Sequence, residues 1–206
     1  MKMKKLFLLV VFTTFVSSPL FSQDTDGTAG IRGSFNLTNF YVDNVDDENL
    51  KPGFSVGVYY ESKLSDLISI QPEINYALKG SQITYNNAFF GSGTYRYNFS
   101  YVEVPVLANI HLGDALYLSA GPYVGALISV KVKDIDSDGT TNSVTQLDRD
   151  DFNTFDYGLA AGAGFKFSGG SFGIRYNYGL AEVDSGDEAV DNGRNSALQF
   201  FIGFDF

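Results

Sequence analysis

Residues 68–79 read Ile-Ser-Ile-Gln-Pro-Glu-Ile-Asn-Tyr-Ala-Leu-Lys, so that Ile68, Ile70, Pro72, Ile74, Tyr76 and Leu78 alternate with Ser69, Gln71, Glu73, Asn75, Ala77 and Lys79. Successive side chains of an extended strand point to opposite faces, which gives this stretch one apolar and one polar side. The same period of two recurs along the chain. Phe54, Val56, Val58 and Tyr60 alternate with Ser55, Gly57, Tyr59 and Glu61. Phe155, Tyr157, Leu159, Ala161, Ala163, Phe165 and Phe167 repeat the pattern, as do Phe172, Ile174, Tyr176, Tyr178 and Leu180.

Eight such segments are predicted, at 29–42, 52–61, 67–82, 95–110, 115–130, 154–167, 171–181 and 195–206. In the fourth, Tyr95, Tyr97 and Phe99 share one parity while Val102, Val104, Val106, Ala108 and Ile110 share the other. A bulge near Ser100 and Tyr101 reconciles the two halves. Pro72, Pro105 and Pro122 fall inside strands, where a missing ladder donor predicts further local bulges.

Composition narrows the function. The chain has 206 residues, a formal charge of −10, a pI near 4.4, no Cys and a mean hydropathy of −0.03. An acidic chain is a poor partner for nucleic acid, which binds clustered Lys and Arg. The absence of Cys excludes disulfide scaffolds, Cys-ligated metals and thiol catalysis. Lys2, Lys4 and Lys5 precede an apolar run from Leu6 to Val16, and Ser22 supplies a small residue before Gln23. Residues 1–22 are therefore expected to be a secretory signal peptide and 23–206 the barrel domain. Removing residues 1–22 takes away three lysines and no acid, which deepens the net charge from −10 to −13.

Connections alternate in length, short at 62–66, 111–114 and 168–170 and long at 43–51, 83–94, 131–153 and 182–194. Each segment also reaches the roughly 9–11 residues that a tilted strand needs to cross a bilayer. Backbone groups in hydrocarbon find no water, so an extended chain crosses only as a closed barrel. The fold class that follows is all-β, an eight-stranded antiparallel up-and-down transmembrane β-barrel. Its termini and short turns would be periplasmic and its long loops extracellular. With the apolar face outward, Arg32, Glu61, Glu73, Lys79, Glu103, Asp156, Lys166, Arg175 and Asp205 point inward as a polar plug. A soluble lipocalin-like ligand binder would have the faces reversed.

The C-terminus distinguishes the two. Leu198, Phe200, Ile202, Phe204 and Phe206 lie at two-residue steps, with Phe206 last. This resembles the assembly signal of Gram-negative outer-membrane barrels, which implies recognition by the barrel-insertion machinery. Tyr101-Val-Glu-Val-Pro-Val-Leu-Ala-Asn-Ile-His111, followed by Leu118-Ser-Ala-Gly-Pro-Tyr-Val-Gly-Ala-Leu127, is similar to the porin-like outer-membrane β-barrel family of the PorT type. The layout also resembles OmpX and the membrane part of OmpA. The resemblance implies a small outer-membrane barrel in contact with lipid and lipopolysaccharide. No residue here matches a functional site of PorT, so its part in protein secretion is not transferred.

Chemistry finds little purchase. His111 is the one histidine, beside a short turn at the predicted periplasmic end, and is expected to lack a nearby Ser–acid constellation. Glu73 and Glu103 could pair as acid and base, but a filled interior admits no substrate. Asp134, Asp136, Asp138 and Gly139 spell the first half of a calcium loop, with Thr145 where a bidentate Glu belongs. A weakly bound Ca²⁺ is the one cofactor expectation. Loops 43–51, 131–153 and 182–194 hold fifteen acids against five bases. The expected function is a non-enzymatic structural or interaction role carried by these acidic loops. A narrow porin-like channel and an accessory barrel of a secretion or adhesion complex stay open.

Overall fold

The structure, a computed structural model, describes residues 27–41, 50–87, 91–136, 138–149, 152–183 and 193–206. The predicted signal peptide, 1–22, lies outside these residues. So do Asp43, Asp46, Asp47, Glu48, Asp150, Asp151, Asp184, Asp187, Glu188 and Asp191 of the acidic loops.

Regular structure among the described residues is all strand: β1 (Gly27–Tyr41), β2 (Lys51–Lys63), β3 (Ile68–Lys79), β4 (Gln82–Asn87), β5 (Gly91–Leu112), β6 (Leu116–Asp136), β7 (Thr141–Leu147), β8 (Phe155–Phe167), β9 (Gly170–Glu182) and β10 (Arg194–Asp205). Every pairing is antiparallel. The ring runs β1–β2–β3–β5–β6–β8–β9–β10 and closes where β10 pairs with β1, from Gly30 opposite Asp205 to Tyr41 opposite Arg194. Eight strands thus form the closed barrel that the alternation predicts. Closure removes both sheet edges within the ring, as hydrocarbon requires.

The two remaining strands correct the loop assignment. Segments 83–94 and 131–153 are expected as irregular loops, but β5 and β6 continue beyond the ring and stay paired from Asn98 opposite Lys131 to Gly93 opposite Asp136. β4 joins the far side of β5 and β7 the far side of β6. The result is a four-stranded wing in the order β4–β5–β6–β7. Along β6 its sequence does not keep the period of two, since Asp134 shares the parity of Val132 and Ile135 that of Lys131 and Lys133, so no apolar face marks the strand.

The β5–β6 register shifts between Ser100 and Tyr101, but the extra residue is Ile128 of β6 and not one in β5. β5 stays in register with β3 from Phe99 opposite Lys79 to Glu103 opposite Asn75, so Phe99 keeps the inward parity of Tyr101 and both are buried. The proline bulges are absent. Pro72 stays opposite Val106, Pro105 opposite Tyr123 and Pro122 opposite Leu159, and the register after each is unchanged. A one-residue slip would turn every later side chain to the wrong face, whereas a proline deletes a single ladder bond. The smaller cost prevails. The tight turns at the short-connection end use left-handed Gly113 (φ 83°) and Gly169 (φ 87°), which a Cβ would disfavour.

The two faces sort as read. Ile31, Phe35, Phe54, Val56, Val58, Ile74, Val124, Leu159, Ile174, Phe200 and Ile202 are exposed on the outside. Arg32, Asn36, Gln71, Glu73, Lys79, Glu103, Asn109, Asp156, Arg175 and Gln199 are buried inside. This is the reverse of a lipocalin-like interior. No helix among the described residues is long and apolar enough to cross a membrane, which is no statement about strands.

Candidate functional site

The interior is built from one parity of each ring strand, and its charges gather in three groups along the axis. In the first, Glu73 of β3 accepts two hydrogen bonds from Arg175 of β9, both 2.9 Å, and forms an ion pair with Arg32 of β1. Gln71 and Asn75 donate to the same carboxylate at 2.6 and 2.9 Å. The two guanidiniums lie against Phe201, 4.4 and 5.5 Å from its ring centre, and Arg32 also lies over Tyr59. Two cations therefore share one carboxylate and aromatic faces.

The second group inverts that ratio. Lys79 of β3 pairs with Glu103 of β5 and with Asp156 of β8, the latter at 3.0 Å. Asn195 donates to Asp156 at 3.3 Å, and the Tyr123 ring lies 4.6 Å from the ammonium. One group carries an extra positive charge and the other an extra negative charge, so the two balance each other; Lys51 of β2, buried above them, belongs to neither and donates to the Lys79 carbonyl at 3.3 Å. Burying charges in this way is tolerable only when each finds a partner.

The third group stands at the end of the short turns. Glu61 pairs with Lys166 at 2.7 Å and with His111 at 3.2 Å, and Ser69 donates to it at 2.6 Å. Near the same end, Tyr59 donates to the carboxylate of Asp205, a residue that is itself exposed. This corrects the reading of His111 as lacking a Ser–acid constellation. Ser69 and Glu61, 42 and 50 positions away in sequence, are carried there by the β2–β3 and β3–β5 registers. Yet Ser69 Oγ (2.9 Å) and Glu61 both meet His111 Nε2. A hydrolytic triad needs Ser at one ring nitrogen and the acid at the other. What this arrangement can do is close the mouth with hydrogen bonds.

Tyr101, Tyr117, Tyr123 and Phe201 are interior aromatics missed among the polar positions, and they are buried like Tyr59, which the alternation places with Glu61. Glycines on neighbouring strands supply a signal. A Cβ on Gly164 would lie 2.5 Å from the Tyr117 ring, one on Gly158 2.8 Å from Tyr123, and one on Gly173 2.7 Å from Phe201. Inward glycines on adjacent strands mark the places where large rings fold over.

The calcium-loop residues form a hairpin. Asp134 and Asp136 lie along β6, Asp138 is in the turn, and the turn closes through Gly139 N–H to the Asp136 carbonyl at 2.9 Å. The Thr140 amide donates to Asp138 at 3.0 Å and holds that exposed carboxyl below its ordinary pKa. Thr145 is in β7, opposite Val132. No group of three His, Cys, Asp or Glu among the described residues is placed to hold a metal ion.

At the C-terminus, Phe200, Ile202 and Phe204 face outward, Leu198 is half-buried on the same parity, and Phe206 is exposed. The Phe206 amide donates to the Ala29 carbonyl at 2.9 Å, on the strand that closes the ring. Phe204 meets Phe167 edge-on, and Phe165 and Phe172 stack nearby with ring centres 5.7 Å apart.

A family model described as Outer membrane protein beta-barrel domain matches residues 21–185. Among solved structures, Ail, the attachment invasion locus protein of Yersinia pestis, is similar at 14% identity, with 87% of this chain and 99% of that one covered and a TM-score of 0.48. Neisserial surface protein A is similar at 11% identity, 89% and 100% coverage and a TM-score of 0.48. OprG of Pseudomonas aeruginosa is similar at 13% identity, 88% and 97% coverage and a TM-score of 0.44. No curated protein sequence matches.

Proposed function

The chain belongs to the outer membrane protein beta-barrel domain family and resides in the outer membrane of a Gram-negative bacterium, and from that premise we propose that it is a non-conducting, non-catalytic barrel with a structural or interaction role. The observation that carries this reading is the pair of buried groups Arg32–Glu73–Arg175 and Glu103–Lys79–Asp156, with rings packed against them. An eight-stranded ring encloses just enough room for side chains, and these fill it. Residues 1–22 direct export and are removed. Leu198, Phe200, Ile202, Phe204 and Phe206 address the chain to the insertion machinery. The termini and short turns face the periplasm. The wing and the acidic loops face outward among lipopolysaccharide, where they present the recognition surface.

Planar-bilayer recording of the purified, folded barrel tests the plug. The expected trace is silent at neutral pH in molar salt. Steady unit conductance would replace this reading with a narrow channel.

A further inference from the structure

The protein is strongly acidic, yet one surface of the wing carries the opposite sign. Arg96 on β5 and Lys133 on β6 are direct cross-strand partners, and Lys131 is on the same face two residues away, opposite Asn98 and Gln146. Like charges placed directly opposite each other destabilise a sheet. Lys131 and Lys133 are exposed and make no ion pair among the described residues, while Arg96 donates to Gln82 at 3.2 Å. Along these cross-strand rows no carboxylate shares the face.

The position of this face matters as much as its charge. β6 pairs with β8 only as far as Ala126, so the residues beyond stand above the ring. Val124 and Ile128 are on the outward apolar surface. The ladder slip then moves the outward position to the other parity: Val130 is buried and Lys131 and Lys133 are exposed. The basic face therefore continues the lipid-facing surface directly. Beside it, a cleft of about 620 Å³ is lined by Ile128, Ser129, Gln146, Leu147, Asp148 and Arg149, Asp148 being the one carboxylate in that lining.

We propose that Arg96, Lys131 and Lys133, with the adjoining cleft at Ile128 and Ser129, form a binding site for the phosphate of a phosphorylated glycolipid in the outer leaflet. An apolar surface topped by cations matches a ligand with acyl chains below and a phosphomonoester above, and each cation near a charged membrane surface adds to affinity. This rests on the reading that the wing faces outward.

The test uses the full barrel, folded in zwitterionic detergent and titrated with bisphosphorylated lipid A or with inorganic phosphate. Wild type should bind lipid A, and the Arg96→Gln, Lys131→Gln, Lys133→Gln variant about tenfold or more weakly. Lys63→Gln, at the opposite rim, should bind like wild type. Heat-modifiable gel mobility of each variant shows that the barrel is folded. Should the triple variant show signs of unfolding, Lys133→Gln alone should still weaken binding severalfold. Equal affinity of folded variant and wild type for lipid A, or equal binding of inorganic phosphate, overturns the proposal. Separately, Thr141→Cys, exposed on the wing but outside the proposed site, should react with an impermeant maleimide on intact cells. Protection there contradicts the outward orientation, whereas labelling together with no lipid A binding contradicts the site alone.

Discussion

Replacing Glu73 with Leu should destabilise the folded barrel by about 3–5 kcal/mol, read as an earlier urea midpoint in detergent by heat-modifiable gel mobility. The substitution leaves Arg32 and Arg175, both almost fully buried, facing each other without their shared carboxylate. The partner test is the simultaneous change of Arg32→Met, Glu73→Leu and Arg175→Met. Removing all three charges removes the desolvation cost along with the pairing, so most of the loss should be recovered. If Glu73→Leu alone changed stability by less than about 1 kcal/mol, the interior would have to be wet enough to solvate two guanidiniums.

The second large effect concerns the outer surface. Val58 is half exposed near the middle of β2, and Leu64, in the following turn, is about as open at 65%. Were the surroundings water, arginine would be harmless at both. In a bilayer, Val58→Arg places a cation near mid-depth and should cost about 2–4 kcal/mol, while Leu64→Arg at the interface should cost about 0–1. Urea titration of the two variants in phospholipid vesicles provides the comparison, and equal stability would mean that the exposed face does not meet hydrocarbon.

What was legible in the sequence follows from how burial was patterned. The ring strands could be read because lipid outside and polar groups inside impose an unbroken alternation, so that β2 at 51–63 and β8 at 155–167 nearly coincide with the expected 52–61 and 154–167. The apparent change of parity at Ser100 and Tyr101 misled, because Phe99 is an apolar residue on the inward face and the extra residue is Ile128 of β6. β4 and β7 were not legible, because strands standing in water need no apolar side. Their hydroxyls and amides look like loop residues. The inward charges could be placed by parity, but their partners could not. Glu73 meets Arg175 across 102 positions, a distance set by ring closure and not by local spacing. Tyr59 shares the parity of Glu61 and could be placed inward, but Tyr101, Tyr117 and Tyr123 were hidden because a ring reads as apolar and the glycines that make room for it stand on other strands.

Accessibility of a nitroxide placed in turn at positions 54, 55, 56 and 58 bears most directly on the alternating barrel. In vesicles, the labels at 54, 56 and 58 should relax with dissolved oxygen and be shielded from a water-soluble nickel chelate, with 55 screened from oxygen by the wall. Strong nickel access at 54, 56 and 58, or no difference between 55 and its neighbours, would contradict a strand whose apolar face meets the membrane.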